Sequence, residues 1–520
     1  DGVQVSYAIG CPIHRSLPPV DPAWLVTDDG QPAVTVAYYA NTTLSGEPAH
    51  VQPTRKTDLS WFGDSAPYID PNHFSLRMTG ALRVPVSGRY VLSLGSVGLS
   101  RLIFDGETRI DQWENRSADV PYEETVEQQI EVELEAKRPY PFTVEFAAVQ
   151  RTQSRLVRLG CIAALPADPI QEAVDLAAQA DVAIVVAGLT PEWESEGFDR
   201  ADMHLVGRQD ELIARVAAAN PRTIVVLNVG SPVAMPWLDA VPALLQLWYP
   251  GQESGNALAD VLFGDVNPSG RLPVTFPRRL ADNPAYVNYP GENGRVHYGE
   301  GLFVGYRYYD KKEIAPLFPF GFGLSYTRFR YANLEIAPQA DQVIVSLDVT
   351  NAGARAGQEV VQLYVRHAAA RLVRPLQELK AYAKVALAPG ETRRVSLTLT
   401  PQSLAFYDPA QQAWVTEPGS YTLFVGGSSR DFRLQGELTW GETAVAAPAA
   451  LHTGRGLGTL LGNDAARAVL VAHLGDELLS HPQLSLALGM SLRAVAGFVP
   501  AMLPAATLDA IDADLAQLAG

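Results

Sequence analysis

DPIQEAVDLAAQADVAIVVAG, running from Asp168 to Gly188, decides how the middle of this chain folds. Ile170, Val174 and Ala177 recur at helical spacing behind Asp168, a residue type that accepts from the free N–H groups of a helix start. The first half therefore reads as an amphipathic helix. DVAIVVAG carries no charge after Asp181 and is rich in valine and isoleucine, so it reads as a strand buried on both faces. The rhythm repeats in GRQDELIARVAAAN (207–220), RTIVVLNVG (222–230), ALLQLWYP (243–250) and QESGNALADVLFG (252–264). Helices and strands in alternation predict a parallel sheet with helices on both faces, a doubly wound α/β sandwich domain. The opening VQVSYAIG (3–10) reads as one more strand of that sheet.

The flanking segments have a different period. TVAYYAN (35–41), FSLRMTGALRVPV (74–86), GRYVLSLGS (88–96), SRLIFDG (100–106) and PFTVEFAAV (141–149) are β-branched and aromatic, punctuated by Gly, Pro and Asp. They predict an antiparallel β-sandwich inserted into the α/β domain. QVIVSLDVTNAG (342–353), QEVVQLYVRH (358–367), ETRRVSLTLT (391–400) and GSYTLFVGGSS (419–429) predict a second, immunoglobulin-like or fibronectin-like sandwich. The expected order is an α/β part at 1–28, an insert at 29–163, the α/β domain at 164–335, the second sandwich at 336–438 and a helical tail at 439–520. The Ala/Leu-rich tail is expected to pack on a neighbour or on a second copy of the chain.

Composition narrows the function. The 520 residues are 47% hydrophobic and 19% charged, with a formal net charge of −17. That balance repels a phosphate backbone, and no Lys/Arg stripe offsets it, which argues against nucleic acid as a partner. Apolar runs fall short of the ~18 uncharged residues a membrane span needs. The chain starts at Asp1 without a basic-then-apolar leader, so it is expected to be processed or cropped. Location is open between bacterial-type cytoplasmic and secreted, with the cytoplasm slightly favoured. Cys11 and Cys161 each follow a glycine at the end of a strand-like run. Two buried thiols on neighbouring strands are the plainer reading, a disulfide the other. The nine histidines are scattered without metal-ligand spacing, and no Gly-rich phosphate loop follows a strand, so neither a metal nor a nucleotide cofactor is expected.

The chemistry concentrates in WESEGFDR (193–200), which leaves the carboxyl end of DVAIVVAG. In open parallel sheets ligands bind beyond the carboxyl ends of the strands. NVGSPV (228–233) and YPGQESG (249–255) leave the same edge, so Glu192, Glu194, Glu196, Asp199 and Glu253 are candidates for an acidic rim, with Asn228 and Ser231 beside them. Gly197 is expected to let the loop turn sharply, and Arg200 to pair with Asp199 or a rim glutamate. A partly desolvated loop carboxyl suits proton donation to a leaving oxygen; a solvated acidic loop is the plainer alternative.

EWESEGFDR, NVGSPVAMPWLDAVPALLQLWYPGQESGNALADVLFGDVNPSGRLPVTFP, EGLFVGYRYYD and FPFGFGLSYTRF, in this order, resemble the family 3 glycoside hydrolases. QEVVQLYVR, RPLQELKAYAKVALAPGE and GSYTLFVGGSSRD resemble that family's fibronectin type III-like domain. YYAN and SGRYVLSLGSVGLSRLIFDG resemble the insert named after the anthrax protective antigen. The resemblance implies a retaining β-glucosidase-like mechanism, with an aspartate nucleophile on an N-terminal barrel and a glutamate acid/base on the α/β domain. The acid/base position matches Glu196, before the glycine of EG-x-DR, with Glu194 as runner-up; Gly197, Asp199 and Arg200 then shape the loop. The family's Ser-Asp-Trp nucleophile signature is missing, LSWFGD (59–64) lacking the aspartate between Ser60 and Trp61. The chain is thus expected to be a C-terminal portion with no barrel and no turnover of its own. Two further classes stand beside a glycosidase acting on a carbohydrate substrate. One is a sugar-binding module, with Trp61 and Phe62 stacking on a pyranose, although such aromatics are more often core. The other is an interaction scaffold, a homo-oligomer among its forms.

Overall fold

The computed structural model describes residues 2–27, 30–62, 69–113, 125–148, 154–339, 341–409, 411–441, 451–480, 487–498 and 503–518. The chain divides into two units, Asp1–Gly251 and Gln252–Gly520.

The first unit opens with a β-sandwich. Its strands are β1 (Leu25–Val26), β2 (Val34–Tyr39), β3 (His50–Thr54), β4 (Asp58–Phe62), β5 (Ser75–Leu82), β6 (Gly88–Val97), β7 (Leu99–Phe104), β8 (Glu107–Asp111), β9 (Val126–Leu134), β10 (Tyr140–Ala147) and β11 (Ser154–Ala163). One sheet runs β3-β2-β5-β10-β7-β8, with β1 also beside β5; the other runs β4-β11-β6-β9. Period-two patterning builds the core. Tyr38, Leu76 and Phe146 stand side by side across three strands and point inward, as do Val36, Met78, Val144 and Leu102. They meet Trp61, Leu92, Leu94, Val157 and Leu159 of the facing sheet. The next row on the outer face is Arg77, Glu145 and Arg101, where both guanidinium groups bond the one buried carboxylate.

The α/β part follows. Asp168 accepts from Gln171 N at 3.1 Å and Pro169 opens α1 (Pro169–Gln179), as the sequence pattern predicts. The strands β12 (Ala183–Gly188), β13 (Thr223–Asn228) and β14 (Ala243–Gln246) form a parallel sheet in that order, with α2 (Gln209–Ala219) between the first two. Gln209 closes the sheet's carboxyl end, its amide taking Gly188 N at 2.8 Å and giving to Gly188 O at 3.0 Å.

Three expectations fail in this unit. VQVSYAIG makes no strand: Val3, Val5, Tyr7 and Ile9 alternate as a strand would, but they are 41–83% exposed, and residues 3–9 pair with no strand among the described residues. Nor is β12 buried on both faces. Ala183, Val185 and Ala187 are buried, whereas Val182, Ile184 and Val186 are 46–59% exposed. Within the unit α1 and α2 pack against each other, which puts both helices on one side of the sheet. Finally, Cys11 is not on a strand, and both cysteines are free. Cys161 lies in the sandwich core, where burial pushes its thiol up to about 12, while Cys11 Sγ receives Arg208 N at 3.1 Å.

In the second unit α3 (Ser254–Phe263) ends at Gly264, whose φ of +82 suits a residue without Cβ. An irregular stretch containing α4 (Tyr306–Lys311) leads to the second sandwich. Its strands are β15 (Phe329–Pro338), β16 (Val343–Asn351), β17 (Gly357–His367), β18 (Glu378–Leu387), β19 (Thr392–Leu399), β20 (Phe406–Asp408), β21 (Ala413–Val415), β22 (Gly419–Ser428) and β23 (Asp431–Trp440). They form sheets β15-β16-β19 and β18-β17-β22-β23 and the short pair β20-β21. Val343, Val345, Leu347 and Val349 alternate into its core. The tail folds into helices Leu457–Leu461, Asp464–Leu474, Asp476–Leu479, Leu492–Phe498 and Ala505–Gln517. Leu460, Leu470, Leu492, Leu508, Ile511 and Leu515 give it a core of its own.

Candidate active site

Beyond Gly188 the chain turns twice. Trp193 N and Glu194 N both donate to Thr190 O, at 2.9 and 3.0 Å, which curls the segment back toward the sheet. Ser195 and Phe198 then bridge across a two-residue tip made of Glu196 and Gly197. Ser195 Oγ accepts from Gly197 N at 3.2 Å. The tip does not demand glycine: φ at Gly197 is not positive, and a Cβ there would meet only Ser195 Oγ at 3.7 Å. The sharp turning expected of Gly197 comes instead from the Thr190 turn and this bridge.

The two candidate glutamates occupy opposite environments. Glu194 accepts from Gly230 N at 2.8 Å and from the hydroxyls of Ser231 and Tyr249, drawing together the exits of β12, β13 and β14. Burial raises its pKa, but the Ser231 and Tyr249 hydroxyls, the Gly230 N–H and the Arg200 charge outweigh it and hold the carboxyl below its ordinary value. Burial and the same bond push Tyr249 up to about 12. Against the expectation of a partly desolvated donor, Glu196 is exposed and has no hydrogen-bond or ion-pair partner among the described residues. One carboxylate is thus fully engaged, and the other stands free two residues away.

Arg200 acts on the rim glutamate Glu194 through its charge but makes no ion pair with it among the described residues. Its guanidinium donates to Ser231 Oγ at 3.1 Å, Pro232 O at 3.5 Å and His204 O at 3.3 Å. Backbone carbonyls and a hydroxyl fit the spread donors of a guanidinium as well as a carboxylate does. Asp199 is exposed, and Asn228 closes β13, its carbonyl accepting from Leu189 N at 3.1 Å. Glu253 falls in the second unit, where it stands at the N-cap position of α3 without a side-chain capping bond and accepts from Asn256 Nδ2 at 2.6 Å.

Glu192 and Trp193 face the segment that precedes the sandwich. Glu192 accepts from Arg15 N at 3.0 Å and Ser16 N at 3.2 Å and pairs with Arg158 of β11 at 3.4 Å. The Trp193 indole N–H donates to Ile13 O, and the Arg15 guanidinium lies 4.0 Å over its ring. The sequence pattern signals neither these contacts nor the role of Tyr249. The stretch YPGQESG leaves the expected edge, and it is its tyrosine rather than its acid that reaches the hairpin.

Trp61 is no sugar platform. It is 4% exposed, stacked on Phe146 and set edge-on to Phe74 and Tyr38, because β4 faces the opposite sheet at that position. The side chain of Phe62 lies outside the described residues. Among the described residues no three His, Cys, Asp or Glu side chains gather as metal ligands, and no helix is long and apolar enough to cross a membrane.

Residues 95–326 match the glycosyl hydrolase family 3 C-terminal domain, and residues 359–429 the fibronectin type III-like domain. The chain is 42% identical to a beta-glucosidase of Rhizobium radiobacter over 443 residues, which is 83% of this chain and 53% of that protein. It is 39% identical to probable beta-glucosidase I of Aspergillus terreus over 452 residues, 82% of this chain and 54% of that protein. The crystal structure of beta-glucosidase from Kluyveromyces marxianus in complex with glucose superposes with a TM-score of 0.78 at 35% identity, covering 86% of this chain and 55% of that one. Thus the chain spans about half the length of the curated relatives it matches.

Proposed function

For a chain that carries a glycosyl hydrolase family 3 C-terminal domain and a fibronectin type III-like domain, and whose homologues are beta-glucosidases, we propose a role as the acid/base half of a retaining β-glycosidase. Its substrate is a terminal β-glucoside. Glu196 gives its proton to the leaving oxygen as the glycosidic bond breaks, then as carboxylate takes a proton from the water that hydrolyses the glycosyl-enzyme. The nucleophilic aspartate sits on a barrel outside these 520 residues, about 5–5.5 Å from the acid when the halves meet. The sandwich over 25–163 is the insert of protective-antigen type.

The observation that carries this reading is the contrast at the hairpin. A donor that must gain and lose a proton each cycle cannot be one that three hydrogen-bond donors hold ionised, which disfavours Glu194. Glu196 is free on the tip.

The test is reconstitution. The chain is mixed with the part of the Rhizobium radiobacter beta-glucosidase that lies outside the matched region and assayed on 4-nitrophenyl β-glucoside. The mixture is expected to turn over and the chain alone not to. Glu196→Gln should cost about 10²–10⁴-fold. With a 2,4-dinitrophenyl leaving group, azide should restore Glu196→Ala and leave Glu194→Gln unchanged. Rescue of Glu194→Gln alone, or a Glu196→Gln variant as active as wild type, overturns the assignment.

A further inference from the structure

Tyr249 is fixed in place and still half bare. Its hydroxyl donates to Glu194, which is itself tied to Gly230 N and Ser231. Its ring edge rests on Gly230: a Cβ there would come within 2.7 Å of Tyr249 Cε2, so only glycine leaves the ring its seat. Just before it Trp248 takes a φ of +60, turning the chain out of β14. Even so, Tyr249 remains 51% exposed. One face of the Trp193 indole, by contrast, is taken by the Arg15 guanidinium, 4.0 Å from the ring centroid.

An aromatic ring immobilised in advance gives up little rotamer entropy when a ligand stacks on it, and its apolar face suits an aryl group or the C–H face of a pyranose. We propose that Tyr249 is the stacking wall for the leaving group, the flat-faced moiety bonded to the oxygen that Glu196 protonates. Glu194 is the positioning residue that holds the wall. This rests on the hairpin being the site of proton donation. The ligand class is a β-glucoside whose leaving group is a ring.

Saturation-transfer NMR on the full chain tests it without turnover, using 4-nitrophenyl β-glucoside, cellobiose and methyl β-glucoside as probes. The nitrophenyl protons are expected to receive the strongest transfer, the reducing-end ring of cellobiose less, and methyl β-glucoside least. Tyr249→Ala should cut the nitrophenyl signal about fivefold. Tyr249→Leu, which keeps bulk over Gly230 and guards against unfolding, should do the same. Tyr249→Phe and Glu194→Gln keep the ring but unpin it and should fall between, about twofold down. Tyr298→Ala, at a tyrosine 82% exposed in the other unit, should change nothing. Equal signals from wild type and Tyr249→Ala, an equal drop in Tyr298→Ala, or no transfer in wild type overturns the wall. Wild-type behaviour of Glu194→Gln overturns the positioning role. A failure here leaves the reconstitution result standing, and the reverse also holds.

Discussion

Replacing Trp61 with alanine measures what holds the first sandwich together. The ring is 4% exposed, with centroids 5.1 Å from Phe74, 5.9 Å from Phe146 and 6.3 Å from Tyr38. A buried tryptophan removes about 150–250 Å² from water, and at ~25 cal/mol per Å² that is about 4–6 kcal/mol of transfer. Alanine keeps the smallest part of it, and the void left behind loses dispersion contacts as well. Relaxation works the other way. Among the described residues β4 is the edge of its sheet, paired with β11 alone, so its backbone can move inward. The net expectation is about 3 kcal/mol, toward the lower end of tryptophan truncations. At an m-value of about 1–3 kcal/mol per molar urea, the unfolding midpoint of this unit falls by about 1–3 M. Urea titration followed by near-UV circular dichroism reads it. A midpoint loss under about 0.3 M would refute the core placement, and so would a Trp61→Phe variant as damaged as Trp61→Ala.

Two other outcomes follow from the same geometry. A Cβ at Gly188 would collide with the Asn228 carbonyl across β12 and β13, so Gly188→Ala should cost about 1–3 kcal/mol; an unchanged thermal midpoint would refute it. Glu194 has its folded pKa depressed, so the stability it contributes is present above its ordinary value near 4.5 and is lost as pH falls through the folded value. The midpoint gap between wild type and Glu194→Gln should therefore be flat above about pH 5.5 and close on acidification; a gap that widens in acid would contradict the clamp.

Period carried most of what could be read in advance. Asp168 with Pro169, the alternation in β5 and β16, and the uncharged run of β13 each state their structure locally. Residues 3–9 alternate just as well and yet form no strand, since alternation supplies a face but not a partner. β12 shows a related limit. An apolar run signals that both faces are compatible with burial, and Ile184 and Val186 show that compatibility is not contact. At the site, the strand exits indicated where Glu194 and Glu196 would stand. What separates them is Gly230, Ser231 and Tyr249, residues 36–55 positions away, and no local pattern encodes which of two glutamates those donors will reach.

The ties at Glu192 bear on how far this fold can be trimmed. Its carboxylate joins Arg15 and Ser16 on the approach to the first sandwich and Arg158 on that sandwich's last strand, while Leu17 N is held at 2.9 Å by Glu127 from another strand of the same sheet. A protein engineer who excised the first sandwich to make a smaller protein would unmoor the hairpin in the same cut. That sandwich is part of the mounting of the proposed acid, and a shortened version would need a substitute anchor for Glu192 before it could be compared with the parent.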